Sequence, residues 1–394
     1  MKYDFDQVID RSGNRASKYD ERVMKFGTDK VIPLWVADMD FKTAQPIIDA
    51  CVKKAEEGIW GYTSRPASYF EAVKGWEKRR NNWDVDTSLM SWSLGVVPAL
   101  SVLVKIFSHT GDKVMIQTPV YSEFYDVTEA WEREVVENKL VEENGTWHID
   151  FEDFEKKAKD PNTKLFILCS PHNPCGRVWT KEELERIGRI CNENHVLVVD
   201  DEIHHDLIMP GHTHYVYAAL STEMEQNCLV LTAPSKTFNL AGLQTSNIFV
   251  PNEALRREME AFLKRGSANP KCNILGYKAC EIAYSSCGEW LDECIQVIDE
   301  NRRVITEFMA ENFPQIRVCQ LQATYLLWMD WNGLGLDYKE LERINRQEAG
   351  LFFDEGYIFG AQGEGFERWN LACPTSYVVA ALKRMKEAYG KYVK

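Results

Sequence analysis

Residues 196–206 read Val-Leu-Val-Val-Asp-Asp-Glu-Ile-His-His-Asp, an apolar run that ends in three carboxylates and two histidines. The run has the length and β-branched texture of a buried strand, and predicts one over 196–200. Working outward, similar short runs predict strands at 113–117, 164–169, 229–232 and 247–250. Between the second and third strands in chain order, 180–194 predicts a helix. Thr180 is its cap, Glu183 three residues on completes a capping box, and Leu184, Ile187 and Cys191 follow at helical spacing. Strands separated by helices imply crossovers and a mainly parallel sheet, hence an α/β domain. Carboxylates at the carboxyl end of such a strand face the crevice where open α/β sheets bind ligands.

Past about 290 the texture changes. A long helical pattern (290–312) precedes a hairpin-like region (316–331), further helix and a Gly-rich turn at 359–365, which together read as a smaller α+β unit. The expected division is an N-terminal arm with part of the small domain over 1–50, a large α/β domain over 51–289, and the C-terminal small domain over 290–394.

The 394 residues carry 46 Lys+Arg against 60 Asp+Glu, a net charge of −14, with 45% hydrophobic and 27% charged residues. That composition excludes wholesale disorder, and the acidic balance argues against nucleic acid, whose phosphates attract a basic stripe. No apolar run approaches the ~20 residues of a spanning helix. The acidic start at residues 1–6 does not resemble a signal peptide, so a cytoplasmic location is expected. Eleven cysteines without a C-x-x-C pair read as small buried hydrophobes in a reducing compartment. Cys280, Cys287 and Cys294 recur every seven residues, as if near one face of a helix. His204, His205, Asp206, His212 and His214 crowd together, but no pair has the i, i+4 spacing of a helical zinc site, and no metal is expected.

Three further segments carry chemistry. In Thr232-Ala233-Pro234-Ser235-Lys236-Thr237, a lysine follows an apolar strand. Burying an ammonium is costly without a use, and one use is a Schiff base with a cofactor aldehyde; a solvated loop lysine is the plain alternative. Ser170-Pro171-His172-Asn173-Pro174 is a rigid turn that fixes an amide at another strand end. Gly95-Val96-Val97-Pro98 places Gly before a helix with Pro in its first turn, and the free N–H groups there suit a phosphate.

Together and in this order, the segments resemble the fold-type I pyridoxal 5′-phosphate (PLP) enzymes of the aminotransferase class I/II superfamily. Within it the likeness is to the cystathionine β-lyase-like C–S lyases, the MalY/PatB group. Trp35-Val36-Ala37-Asp38-Met39-Asp40-Phe41, Gly61-Tyr62, Asp201-Glu202-Ile203-His204 and Leu240-Ala241-Gly242-Leu243-Gln244 carry it. His204 and Gln244 stand where most aminotransferases of the class have Tyr and Arg.

The resemblance implies a PLP-transferase-like large domain and a set of roles. Lys236 would bind the cofactor aldehyde and then shuttle the substrate Cα proton. Asp201 would pair with the pyridine nitrogen, and Asn173 and His204 with the ring hydroxyl oxygen. Tyr121 would stack on the ring and assist proton transfer. Val96, Val97, Ser235 and Thr232 would hold the phosphate, joined by Tyr62 from the neighbouring subunit of a homodimer. Arg368 would clamp the substrate α-carboxylate, with the backbone N–H of Ala37 closing over it. The implied reaction is α,β-elimination of L-cysteine S-conjugates such as L-cystathionine; an aminotransferase, or a regulatory protein on the same fold, is the alternative.

Overall fold

A computed structural model describes residues 1–265 and 271–392. Its centre is a seven-stranded sheet: β1 Met90–Ser93, β2 Lys113–Thr118, β3 Glu134–Lys139, β4 Thr163–Cys169, β5 Leu197–Asp201, β6 Cys228–Thr232 and β7 Ser246–Phe249. The spatial order is β1-β7-β6-β5-β4-β2-β3. Every neighbouring pair is parallel except those made by β7, which is antiparallel to both β6 and β1. The five strands expected from sequence all form, each within one residue of its expected ends.

Both faces of the sheet are buried, which is why the strands are apolar throughout rather than alternating. Phe166, Val198 and Val230 point into one core; Ile167, Val199 and Leu231 point into the other. Each fully buried Val or Leu side chain of this kind stabilises the fold by about 1.5–3 kcal/mol relative to exposure. Five helices position the site: α1 Ala67–Asn81, α2 Val96–Phe107, α3 Lys181–Glu193, α4 Pro234–Thr237 and α5 Ile274–Ser286. The capping box of α3 is present: the Glu183 N–H donates to Thr180 Oγ1 at 3.2 Å, and the Thr180 N–H donates to Glu183 Oε2 at 2.7 Å.

The long helix α6, Gly288–Asn312, leads to a second sheet of β8 Arg317–Val318, β9 Leu326–Asp330, β10 Asp354–Glu355 and β11 Phe366–Asn370, in the order β8-β9-β11-β10 and antiparallel throughout. The N-terminal segment joins this end of the chain, since Ile32–Pro33 pairs in parallel with Leu351–Phe352. The seven-residue cysteine spacing does not mark one helix. Cys280 lies in α5, Cys287 caps its end and Cys294 lies in α6, so the helix is interrupted between them. No described helix is long and apolar enough to cross a membrane.

Candidate active site

Lys236 owes its position to the turn after β6. Ala233 is still extended, and Pro234, whose fixed φ suits a first helical position, starts the one-turn helix α4 that carries the lysine. Thr237 Oγ1 donates to Asp206 Oδ2 at 2.8 Å and anchors the turn from behind. The Lys236 amine donates to the Ala37 carbonyl oxygen at 2.8 Å, and the Tyr325 hydroxyl donates to that same oxygen at 2.8 Å. Burial, with the Arg368 charge second, pushes the amine down to about 8.

The three acids at the end of β5, Asp200 and Asp201 in the strand and Glu202 just after it, separate because successive strand residues face opposite ways. Asp201 faces the cavity, shares its face of the sheet with Cys169, and accepts the Ile203 N–H at 3.1 Å. Burial pushes it up to about 7. Asp200 lies on the other face with both carboxylate oxygens lacking a partner among the described residues, and burial, then Glu202, raises it far above its usual range. Glu202 leaves the cavity too. Burial opposes its ionisation, but His214 at 2.9 Å and His205 at 3.4 Å hold it at about 2. His204 alone of the crowded histidines lines the cavity; burial and then Lys236 push it well below its ordinary value, so it is neutral. Among the described residues, no group of three or more His, Cys, Asp or Glu side chains is arranged to hold a metal ion.

Arg368 enters from the second sheet, where β11 lies between β9 and β10. Its Nη1 donates to Asn173 Oδ1 at 2.9 Å, and its Nη2 donates to Asp354 Oδ2 and to the Trp35 carbonyl at 3.3 Å. The guanidinium lies 4.7 Å over the Phe359 ring. Burial raises the Asp354 carboxyl against the pull of Arg368. Tyr121 joins the same Asn173, its N–H donating to the Asn173 carbonyl at 3.2 Å, and its phenol is pushed up to about 12 by burial.

These groups line one cavity of about 500 Å³. Of the residues expected from sequence, Lys236, Asp201, Asn173, His204, Tyr121, Val96, Val97, Ser235, Arg368 and Ala37 all border it. Gly95 at φ 154° opens α2 and lines the cavity, as do Ser235 and Gln244. Two expected residues are elsewhere. Thr232 does not border the cavity: it lies fully buried, paired with Asn247 of β7, and its hydroxyl has no partner among the described residues. Tyr62 is fully exposed, in a stretch with the exposed Ile59 and Trp60. Ala37 presents its carbonyl to the lysine. Asp354 and Tyr325 were not anticipated; nothing local in the sequence distinguishes either from a core or surface residue.

The family model described as "Aminotransferase class I and II" matches residues 29–385. The chain is 39% identical to cystathionine β-lyase PatB of Bacillus subtilis over 98% of its own length and 99% of the relative's. Its fold superimposes on cystalysin from Treponema denticola, a crystal structure that contains PLP, with a TM-score of 0.96 and 41% identity, covering 99% of this chain and 100% of that one. It also superimposes on the PLP-bound C–S lyase of Staphylococcus hominis with a TM-score of 0.92 and 30% identity, covering 100% and 99%.

Proposed function

This chain belongs to the aminotransferase class I and II family, and from that premise we propose that it is a PLP-dependent C–S lyase acting on L-cysteine S-conjugates. The observation that carries the choice of activity is the end-to-end similarity to a cystathionine β-lyase and to a C–S lyase.

The cavity fits the cofactor on its own chemistry. It presents one amine near neutrality, a buried carboxyl, an amide, a neutral imidazole and a helix N-terminus. An aldehyde needs the amine, a pyridine nitrogen the carboxyl, and a phosphate the helix end. Lys236, Asp201, Asn173, His204 and Tyr121 would hold the ring, and Val96, Val97 and Ser235 the phosphate. Bound there, PLP supplies a ring that accepts the electron pair left at the substrate Cα.

The chain's own residues do the rest. Arg368 offers a planar fork for the α-carboxylate, Lys236 takes the Cα proton, and Asp201 keeps a cation opposite it ionically paired. One C–S bond breaks; the sulfur leaves as a thiol, and the remaining aminoacrylate takes up one water to give pyruvate and ammonia. Asp201→Asn keeps the shape but removes the charge, so PLP should stay bound while kcat falls by at least ~10²-fold. Absorbance and steady-state kinetics check this, and near-normal turnover would dismiss Asp201, since Asp200 and Glu202 face away.

The same reading includes a homodimer in which Tyr62 reaches the neighbouring subunit's phosphate site. The exposed Ile59, Trp60 and Tyr62 support it, as an apolar patch of this kind marks an interaction surface. It also includes a large unit over 51–289 with a small unit from 1–50 and 290–394, and a cytoplasmic location, supported by eleven free cysteines.

The test is a product assay. With cystathionine and no added 2-oxo acid, the purified protein should give stoichiometric pyruvate and thiol. Turnover that stops after one equivalent until an oxo acid is supplied would make it an aminotransferase instead.

A further inference from the structure

The rim loop 35–41, whose Ala37 carbonyl accepts the Lys236 amine, carries two carboxylates, Asp38 and Asp40, and both are covered by cations from the N-terminal segment. Arg11 grips Asp38 with two parallel bonds, Nη1 to Oδ1 at 3.0 Å and Nη2 to Oδ2 at 2.7 Å, and its Nη1 also donates to Asp40 Oδ1 at 2.7 Å. The fully buried Lys18 amine donates to Asp40 Oδ2 at 2.7 Å and lies 3.5 Å from Asp38 Oδ1. Two positive charges thus face two negative ones. Asp38 follows directly on Ala37, whose carbonyl accepts the Lys236 amine.

We propose that Arg11 is a positioning residue of the Lys236 site: by neutralising Asp38 it keeps that carboxylate from holding the lysine amine as ammonium. The inference rests on Lys236 as the cofactor-binding amine. The charged and titratable groups around that amine come from both sheets, the rim loop and the turns between them. Arg368 of β11 favours the neutral amine, while Asp201 of β5, Asp354 of β10 and Asp38 of the rim loop favour the ammonium; His204 is neutral, and Tyr121 and Tyr325 are protonated phenols. Asp354 is already paired with Arg368, and Asp354 and Asp201 both line the cavity, whereas Asp38 does not. Asp38 is therefore the carboxylate whose cover can be removed without touching the cavity wall. A bidentate Arg pair is the cover that best cancels a carboxylate, because the fork matches both oxygens. A staple that only held the loop would alter thermal stability and leave the amine's titration unchanged.

The experiment is competitive acetylation of the cofactor-free full-length chain across pH, with the Lys236 peptide quantified. Wild type should titrate near 8. Arg11→Met uncovers Asp38 and should raise the midpoint by ~0.5–1 pH unit. Asp38→Asn should lower it, the double variant should return close to wild type, and Arg11→Lys should largely keep the wild-type value. A folded Arg11→Met with the wild-type midpoint overturns the proposal. Should that variant not fold, Asp38→Asn with an unchanged midpoint overturns it equally. Borohydride reduction of the PLP-loaded variants separates the two readings: an adduct still on Lys236 leaves the functional reading intact, whereas one on another lysine removes it.

Discussion

Lys236→Ala should lower kcat for elimination by at least ~10³-fold and abolish the borohydride-fixed adduct, while leaving the fold intact. The reasoning begins with burial. An ordinary lysine at pH 7 is almost wholly ammonium, which neither attacks an aldehyde nor takes a proton. Held at about 8 by desolvation and by Arg368, roughly a tenth of Lys236 is free amine at pH 7. No other lysine lines the cavity among the described residues, so nothing stands in for it. The Ala37 carbonyl keeps its bond from Tyr325 when the amine is gone, and the turn keeps its anchor from Thr237 to Asp206, so the thermal midpoint should hardly move. Peptide mapping after borohydride reduction of the wild type checks the assignment directly. An adduct on any other lysine would dismantle the functional reading.

How much of this was legible in the sequence depends on distance along the chain. β5 and its acids were legible because a strand buried on both faces is apolar throughout and its carboxyl end must become polar at the crevice. Alternation also says that Asp200 and Asp201 face opposite ways, but which face meets the cavity depends on what packs on each side. The capping box of α3 was legible because its two partners stand three residues apart. Tyr325 and Asp354 were not, since each acts on a residue brought near only by the fold: Ala37 is 288 positions from Tyr325, and Arg368 sits across a strand pair from Asp354. The same holds for Arg11 and Lys18. Thr232 was assigned to the phosphate only by resemblance; its buried hydroxyl has no partner among the described residues and does not border the cavity. The cysteine spacing misled because a period of seven carries meaning only inside one continuous helix, and the break at Cys287 ends it.

Arg368→Ala should lower kcat/KM by ~30-fold to several thousand-fold, the loss of about 2–5 kcal/mol expected for a desolvated charged contact to a carboxylate. The structure makes the measurement more discriminating, because Arg368 is not idle before substrate arrives. Asp354 and Asn173 already occupy its fork, so an incoming α-carboxylate competes with Asp354 for Nη2. Removing the arginine therefore also strands a buried carboxyl that burial already raises, and that carboxyl will take up a proton rather than stay charged. Some thermal stability will be lost with it. Arg368→Ala combined with Asp354→Ala separates the two effects: stability should recover in the double variant, while kcat/KM should not, because the fork is still missing. PLP absorbance should be close to wild type in both. If the single variant loses less than about tenfold in kcat/KM, which is ~1.4 kcal/mol, the substrate carboxylate is held elsewhere and Arg368 serves only to bury Asp354.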